Sequence, residues 1–444
     1  DKRDSVAGEM QLFRLGQDGR TLVKTGTVTA WGDFLRYKYF SWDFSEVRKP
    51  GMYVAEYRGE VSHAFKVGDD VFSRHAWQPV LEYYLPVQMC HMRVNEKYRV
   101  WHGLCHDDDA LMSPVDTNHF DGYISGPDTL TAFKPMEPVP GLNKGGWHDA
   151  GDYDLRIESQ MTTVWLLSVM VEEFDLDYDA TTIDQDKKLV EIHQPDGLND
   201  VMQQIEHGLL SILGAYLSLG RLYRGIITPT IRQYVLLGDG STQTDNRVYD
   251  TRQASSVADD RLVFTEINPT RELNAAAGLA AASRVLREYN PALAQRALTA
   301  ALEVYESAFE AESASVEAKA FAATELLLTT GKVKYEKTLI GMKKDLVGQI
   351  DKTGWAIGRA MSGIDDRDFS KAISSAVEKH QKTVAAAGDK TPYGVPYEPY
   401  IWGAGWGIQR FGVGQYLVHK AWPEHAPFEP VMDALNFVLG VHPG

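Results

Sequence analysis

The sequence predicts a mainly α protein in which a small β domain precedes a large, almost wholly helical one. Three observations carry that reading. Up to residue 72 the chain runs in short, aromatic-rich segments of alternating character. After Trp77, long segments repeat apolar residues at helical spacing. The length of 444 residues exceeds what one small core organises, so one large domain plus a smaller one is expected.

The elements follow in order. FLRYKYFSWDF (34–44) alternates, KPG (49–51) turns, and MYVAEYRG (52–59) and SHAFKVGDDVF (62–72) continue as short strands. Regular spacing of such runs predicts a small sandwich. Helices are predicted over 158–174, 199–225, 271–289, 291–311, 316–331, 405–421 and 430–440. In the second of these, Ile205, Leu209, Ile212, Tyr216 and Leu219 form the stripe. The third is alanine-rich, and a glycine ends the fifth. A long polar connection lies between 225 and 270. Its GDGSTQTDN (238–246) lacks the flanking pattern of a phosphate loop and reads as a turn. Helix periodicity alone leaves a bundle and a toroid of helix pairs both open.

Composition limits the partners. With 45 Lys+Arg against 61 Asp+Glu, the formal charge of −16 repels phosphate backbones and anionic membranes. No apolar run approaches the ~20 residues of a membrane span. The opening DKRDSVAG has no apolar signal core. Two cysteines are too few for a disulfide framework.

Chemistry concentrates in GGWHDAGDYD (145–154). Asp149 and Asp152 stand just before a helix, among glycines that permit a tight turn. Neighbouring carboxylates can hold one water between them and deprotonate it, the work of a general base. Trp147 offers a flat face suited to a pyranose ring. Helix capping is the plainer reading, and a calcium loop another, although the spacing is not that of an EF-hand. In CHMRVNEKYRVWHGLCH (90–106) two thiols and a histidine suit zinc, while a Cys90–Cys105 disulfide is the simpler alternative. Tyr397, Tyr400, Trp402 and Trp406 cluster among glycines in VPYEPYIWGAGWG, where a sugar platform competes with core packing. Segment 116–123 and Arg156 are weaker candidates.

GGWHDAGDYD resembles the signature of glycoside hydrolase family 9, the endoglucanase family. SWDFSEVRKPGMYVAEY is similar to the Ig-like domain preceding many members, and QPDGLNDVMQQIEHGLLSIL, NPTRELNAAAGLAAASRVLREYNP, YGVPYEPYIWGAGWGIQRFGVGQYLV and ALNFVLGVHPG resemble later family segments, in order. The resemblance implies an (α/α)6 barrel over 73–444 behind an Ig-like sandwich over 1–72, each expected to be incomplete at its outer end. It implies inverting hydrolysis of β-1,4-glucan links, with Asp152 as base and Asp149 helping to hold the water. Asp154, one step outside the motif, is expected to be solvated or capping. The family's general acid is a glutamate beyond the segment matching ALNFVLGVHPG, and nothing up to Gly444 matches it; Glu398 is not placed where the family puts it. Zinc in some bacterial members implies a structural site at Cys90, Cys105, His106 and His148, with His91 and His102 nearby. Calcium is a possible second ion without assignable ligands. The substrate class is a β-glucan polymer or oligosaccharide, which implies a secreted, periplasmic or cell-surface location. The competing readings are a non-catalytic glycan-binding relative, a zinc hydrolase built on His148 and Asp149, and an exo-acting or xyloglucan-specific member.

Overall fold

Alternating segments at the N-terminus form the expected strands. The computed structural model describes residues 7–115, 122–150, 153–228 and 261–441. The strands are β1 (Glu9–Gly16), β2 (Gly19–Thr27), β3 (Thr29–Phe34), β4 (Tyr37–Ser41), β5 (Gly51–Tyr57), β6 (Glu60–Val61) and β7 (Phe65–Val67). One sheet has the order β2-β1-β5-β6, with β7 also on β5, and β3 pairs with β4 separately. Leu12 and Tyr53 are buried on one face of the larger sheet, and Val54 is buried on the other. Period-2 patterning puts alternate residues on one face, which made the runs holding β4, β5 and β7 legible, whereas β1 and β2 were not singled out.

Contacts divide the chain into two compact units, Asp1–Gln78 with Val377–Gly444, and Pro79–Ala376. This differs from the expected division into 1–72 and 73–444. The C-terminal residues group with the β region because their apolar side chains share a core. Phe34 and Tyr39 pack against Tyr393, Val395, Ile408, Ala434 and Phe437. The Tyr39 and Tyr393 hydroxyls are 2.7 Å apart.

In the second unit α1 (Leu85–Gln88) leads to β8 (Arg93–Glu96), β9 (Arg99–His102), β10 (Leu111–Met112), β11 (Leu155–Arg156) and α2 (Ile157–Phe174). Then come β12 (Thr181–Asp184), β13 (Leu189–Ile192), α3 (Asp200–Leu219), β14 (Gly225–Ile227) and β15 (Leu262–Phe264). The helices α4 (Pro269–Val285), α5 (Pro291–Ala308), α6 (Val316–Thr330), α7 (Val333–Gly341), α8 (Lys343–Gly348), α9 (Ile350–Ala360) and α10 (Arg367–Gly388) follow, the last reaching into the first unit's residues. There α11 (Ala404–Ala421) packs on α12 (Glu429–Val438).

The helix ends obey capping rules. Asn199, Asn268, Asn290 and Ser315 each accept a backbone N–H of the first turn of α3 to α6, and α3 and α6 stop at left-handed Gly220 and Gly331. Alanine-rich α4 is buried at every position from Ala275 to Ser283 and packs on α2, α5 and α6. A Cβ at Gly278 would lie 3.0 Å from the Met161 carbonyl, so α2 and α4 cross closely at this glycine. The inner helices are also tied by charge. Fully buried Glu325 on α6 accepts from Arg284 of α4 at 2.8 Å, Arg359 of α9 at 2.7 Å and the Trp165 indole of α2 at 2.9 Å. Burial raises the cost of the Glu325 charge, but the two guanidinium groups outweigh it and hold its carboxyl below the usual range.

The sequence reading extends the second helix to 225, whereas α3 ends at Leu219 and Gly225–Ile227 is a buried strand against β15 and β11. The GDGSTQTDN turn lies outside the described residues.

Candidate metal cluster and carboxylate turn

Glycines let the 145–149 segment run against α3. Gly145 has φ +74°, and a Cβ there would meet the His207 carbonyl at 2.4 Å. The segment also pairs with the end of α1: His148 N–H donates to the Gln88 carbonyl and Cys90 N–H to the Gly146 carbonyl, both at 2.8 Å. That rung brings Cys90 and His148 together although they are distant in sequence.

Trp147 does not face a sugar. Its side chain is 5% exposed. A Cβ at Gly208 would sit 2.4 Å from its ring, so the glycine on α3 makes the slot that takes the indole. The indole Nε1 donates to Gln204 Oε1 at 2.8 Å. Burial with a satisfied N–H makes it a core residue.

Three buried donors and half-buried His148 converge beside the turn. Cys90, Cys105, His106 and His148 each place a ligand atom within 4.8 Å of the others. Cys90 Sγ is 2.8 Å from His106 Nδ1, and Cys105 Sγ is 3.4 Å from His148 Nε2. The thiols are free, with their sulfurs 3.9 Å apart, far beyond a disulfide bond. Burial pushes His106 well below the ordinary histidine range, helped by the Arg261 charge, and it lowers His148 too. Both rings are therefore neutral, the form that donates to a metal. Burial also opposes ionisation of Cys105, yet its contact with Cys90 and the neighbouring histidines bring it well below the thiol range; Cys90, buried beside it, is pushed well above.

The two nearby histidines are not in this group. His91 Nδ1 lies 3.0 Å from the Gly145 carbonyl. His102 faces carbonyls with both nitrogens, Gly103 at 2.9 Å and Val87 at 3.0 Å. Burial disfavours a charge on His102, but Cys105 and those carbonyls overcome it and raise its pKa.

Asp149 adjoins the cluster. Its Oδ2 accepts from Arg156 Nε at 2.8 Å and Nη2 at 2.7 Å, and its N–H donates to the Asp154 carbonyl at 2.9 Å. Burial works against the Arg156 charge, but the Asp149 carboxylate prevails and raises its pKa. Arg156 also donates to the Tyr123 hydroxyl. The Tyr153 ring stacks on His148 at 4.4 Å between centroids. Asp152 and Gly151 lie outside the described residues; Ala150 and Tyr153 on either side both have left-handed backbone, at φ 57° and 58°. Such conformations cost energy in non-glycine residues and concentrate at functional turns. Asp154, expected to be solvated or capping, is instead 1% exposed, and its Oδ1 accepts the Thr228 N–H at 2.7 Å. That bond ties the end of the turn to the residue after β14.

The four aromatic candidates separate. Tyr397 packs in the core of the first unit, tilted against Phe437 at 5.2 Å, which is the packing alternative. Tyr400 and Trp402 are 94% and 84% exposed, and Trp406 is 61% exposed, with the two indoles edge-on at 5.3 Å. Glu398 is exposed.

The profile of glycosyl hydrolase family 9 matches residues 81–421, which include the metal cluster, the turn and the exposed aromatics. The chain belongs to this family. Endoglucanase D of Acetivibrio thermocellus is 24% identical over 310 residues, covering 69% of this chain and 43% of that protein. The xyloglucan-specific endo-beta-1,4-glucanase BoGH9A of Bacteroides ovatus is 24% identical over 447 aligned positions, covering 90% of this chain and 67% of that protein. The chain thus spans less than half the length of endoglucanase D. Among solved structures, a metagenome-derived family 9 endoglucanase superposes with a TM-score of 0.71 at 20% identity, over 99% of this chain and 78% of that one. The family 9 endoglucanase J30 gives 0.72 at 17% identity, over 98% and 80%, and its Zn-binding triple mutant gives 0.71 at 18% identity, over 98% and 80%. The fold is the family's (α/α)6 barrel with an N-terminal β domain.

Sequence reasoning underrated Arg156 and the segment 116–123, of which 116–121 lie outside the described residues and Tyr123 meets Arg156. It gave no role to Tyr153 inside the motif and passed over Gln160, Gln204 and His207, which meet the turn only through the fold.

Proposed function

We propose that this family 9 chain is the catalytic part of an inverting endo-β-1,4-glucanase acting on cellulose-like glucans or xyloglucan outside the cell. The observation that carries the reading is the family match over 81–421, with the DAGD turn inside it and Asp149 held by Arg156. Asp152 is the general base that takes a proton from water, and Asp149, fixed by the guanidinium, shares in holding that water. A glutamate supplies the leaving-group proton in this family. Two curated relatives are named as endoglucanases, one of them xyloglucan-specific, which supports the substrate class. Exposed Tyr400, Trp402 and Trp406 offer sugar-stacking faces. A polymer cannot enter a cell whole, so the reading includes a secreted, periplasmic or surface location. The β region at the N-terminus is read as the Ig-like domain.

The metal is read as structural zinc on Cys90, Cys105, His106 and His148. A tetrahedral site with Zn–S bonds of ~2.3 Å separates its sulfurs by ~3.8 Å and sulfur from nitrogen by ~3.5 Å. The observed 3.9 Å and 3.4 Å fit, while the 2.8 Å contact of Cys90 with His106 is shorter than such an edge. Four protein donors leave no position for a reacting water, so zinc would brace the turn without entering the chemistry. A Zn-binding variant of the similar endoglucanase J30 supports the choice of metal.

The test is stereochemical. An aryl β-cellobioside with an activated leaving group needs no acid, so this chain's own base suffices. Proton NMR during turnover is expected to show the α-anomer of cellobiose first. Initial release of the β-anomer would mean retention and would refute the assignment of a water-activating base.

A further inference from the structure

We infer that Gln160 of α2 and His207 of α3 are positioning residues for the metal ligand His148 and the carboxylate Asp149. The inference rests on the metal and base reading above. Two consecutive residues lead into His148, and each is held by one helix. The Gln160 side chain clasps Trp147 at both ends: its Oε1 accepts the Trp147 N–H and its Nε2 donates to the Trp147 carbonyl, both at 2.8 Å. A side-chain amide used this way replaces a neighbouring strand. His207 Nε2 is 2.7 Å from the Gly146 carbonyl, and Gly146 N–H returns to the His207 carbonyl at 3.1 Å.

The tautomer of His207 is set by its partners. The Gly146 carbonyl can only accept, so His207 Nε2 carries the proton; Nδ1 is left to accept from Gln185, whose Nε2 and Oε1 lie 3.1 Å and 3.3 Å away. Gln160 and His207 are 2% and 0% exposed. No water competes for these bonds, so the peptide planes at 146 and 147 have one satisfied arrangement. The same planes set where the His148 ring and the Asp149 carboxylate begin. Apolar packing alone does not account for a buried amide whose two polar ends both meet one backbone residue.

The experiment titrates metal-free protein with Co2+ and reads thiolate-to-cobalt charge transfer and the d–d bands. Gln160→Met keeps the volume and removes both bonds. It is expected to weaken cobalt binding by roughly 10–100-fold, the usual effect of losing an outer-shell support, and to shift the d–d bands. Ile357→Ala, on α9 and 0% exposed, is the control, lowering thermal stability while leaving affinity and spectrum unchanged. His207→Ala is expected to weaken binding, and His207→Gln, which keeps a donor, to restore part of it; this pair decides the matter if Gln160→Met does not fold. Equal affinity and spectrum in wild type, Gln160→Met and His207→Ala would overturn the inference. If the wild type binds no cobalt, the metal reading fails separately, and aryl cellobioside kinetics decide. A fall in kcat at unchanged KM in Gln160→Met upholds positioning of Asp149, and unchanged kcat overturns it.

Discussion

Asp149 meets Arg156 through two guanidinium nitrogens on one carboxylate oxygen, so the pairing fixes an orientation as well as a charge. Lysine supplies a point charge and no planar fork. Arg156→Lys is therefore expected to fold normally and to lose roughly 10²-fold in kcat on an activated cellobioside, the scale of an ångström-level misplacement; unchanged kcat would remove Arg156 from the mechanism. Trp147 leads to a different expectation. Trp147→Ala should cost about 3–5 kcal/mol in urea unfolding, as for a buried aromatic, while cello-oligosaccharide affinity of the folded fraction stays the same. A selective loss of affinity would return the indole to the substrate site. The turn and the four residues of the Cys–His cluster were legible because their residue types are rare and their order resembles a family. The direction of Trp147 was not, because Gly208, on a helix far along the chain, decides it.

At the level of elements, buried charge sets two measurable properties. Asp200 opens α3, is fully buried, and accepts the N–H groups of Ala180 and Thr181. Burial, with Asp179 and Asp196 nearby, outweighs those bonds and raises its pKa to about 7. Its folded pKa thus lies above the unfolded value near 3.9, and the folded state holds the proton more tightly. Its contribution is complete below pH ~4 and falls as pH rises towards 7, by up to about 1.4 kcal/mol per unit. Unfolding free energies from pH 4 to 8 should show that Asp200→Asn removes this slope; parallel curves would contradict the titration. Glu325→Ala leaves Arg284 and Arg359 without their shared carboxylate and should cost about 3–5 kcal/mol by denaturant unfolding. A loss below 1 kcal/mol, roughly the value of an exposed pair, would show the network is not structural. Helices with a continuous stripe, such as α3 and α5, were legible. Strands β8 to β15 were not, since runs of two to four residues carry no period and their partners are distant. Between 332 and 392 the sequence reading assigned no element. There α7, α8 and α9 are short, with glycines at 341, 348, 354 and 358, while α10 does carry a stripe in Phe369, Ile373 and Val377.

For the molecule as a whole, family and fold were legible because motif order runs along nearly the full chain. The grouping of Val377–Gly444 with the β region was not, since it depends on which apolar faces meet Phe34 and Tyr39. The central claim is that Asp152 activates water in a turn held by Arg156, His148 and the helices behind it. Hydrolysis of an activated aryl β-cellobioside by wild type and Asp152→Asn tests it most directly, because that leaving group needs no proton. The account predicts a fall of roughly 10²–10⁴-fold in kcat with an unchanged thermal midpoint. Equal turnover by the two proteins would contradict it.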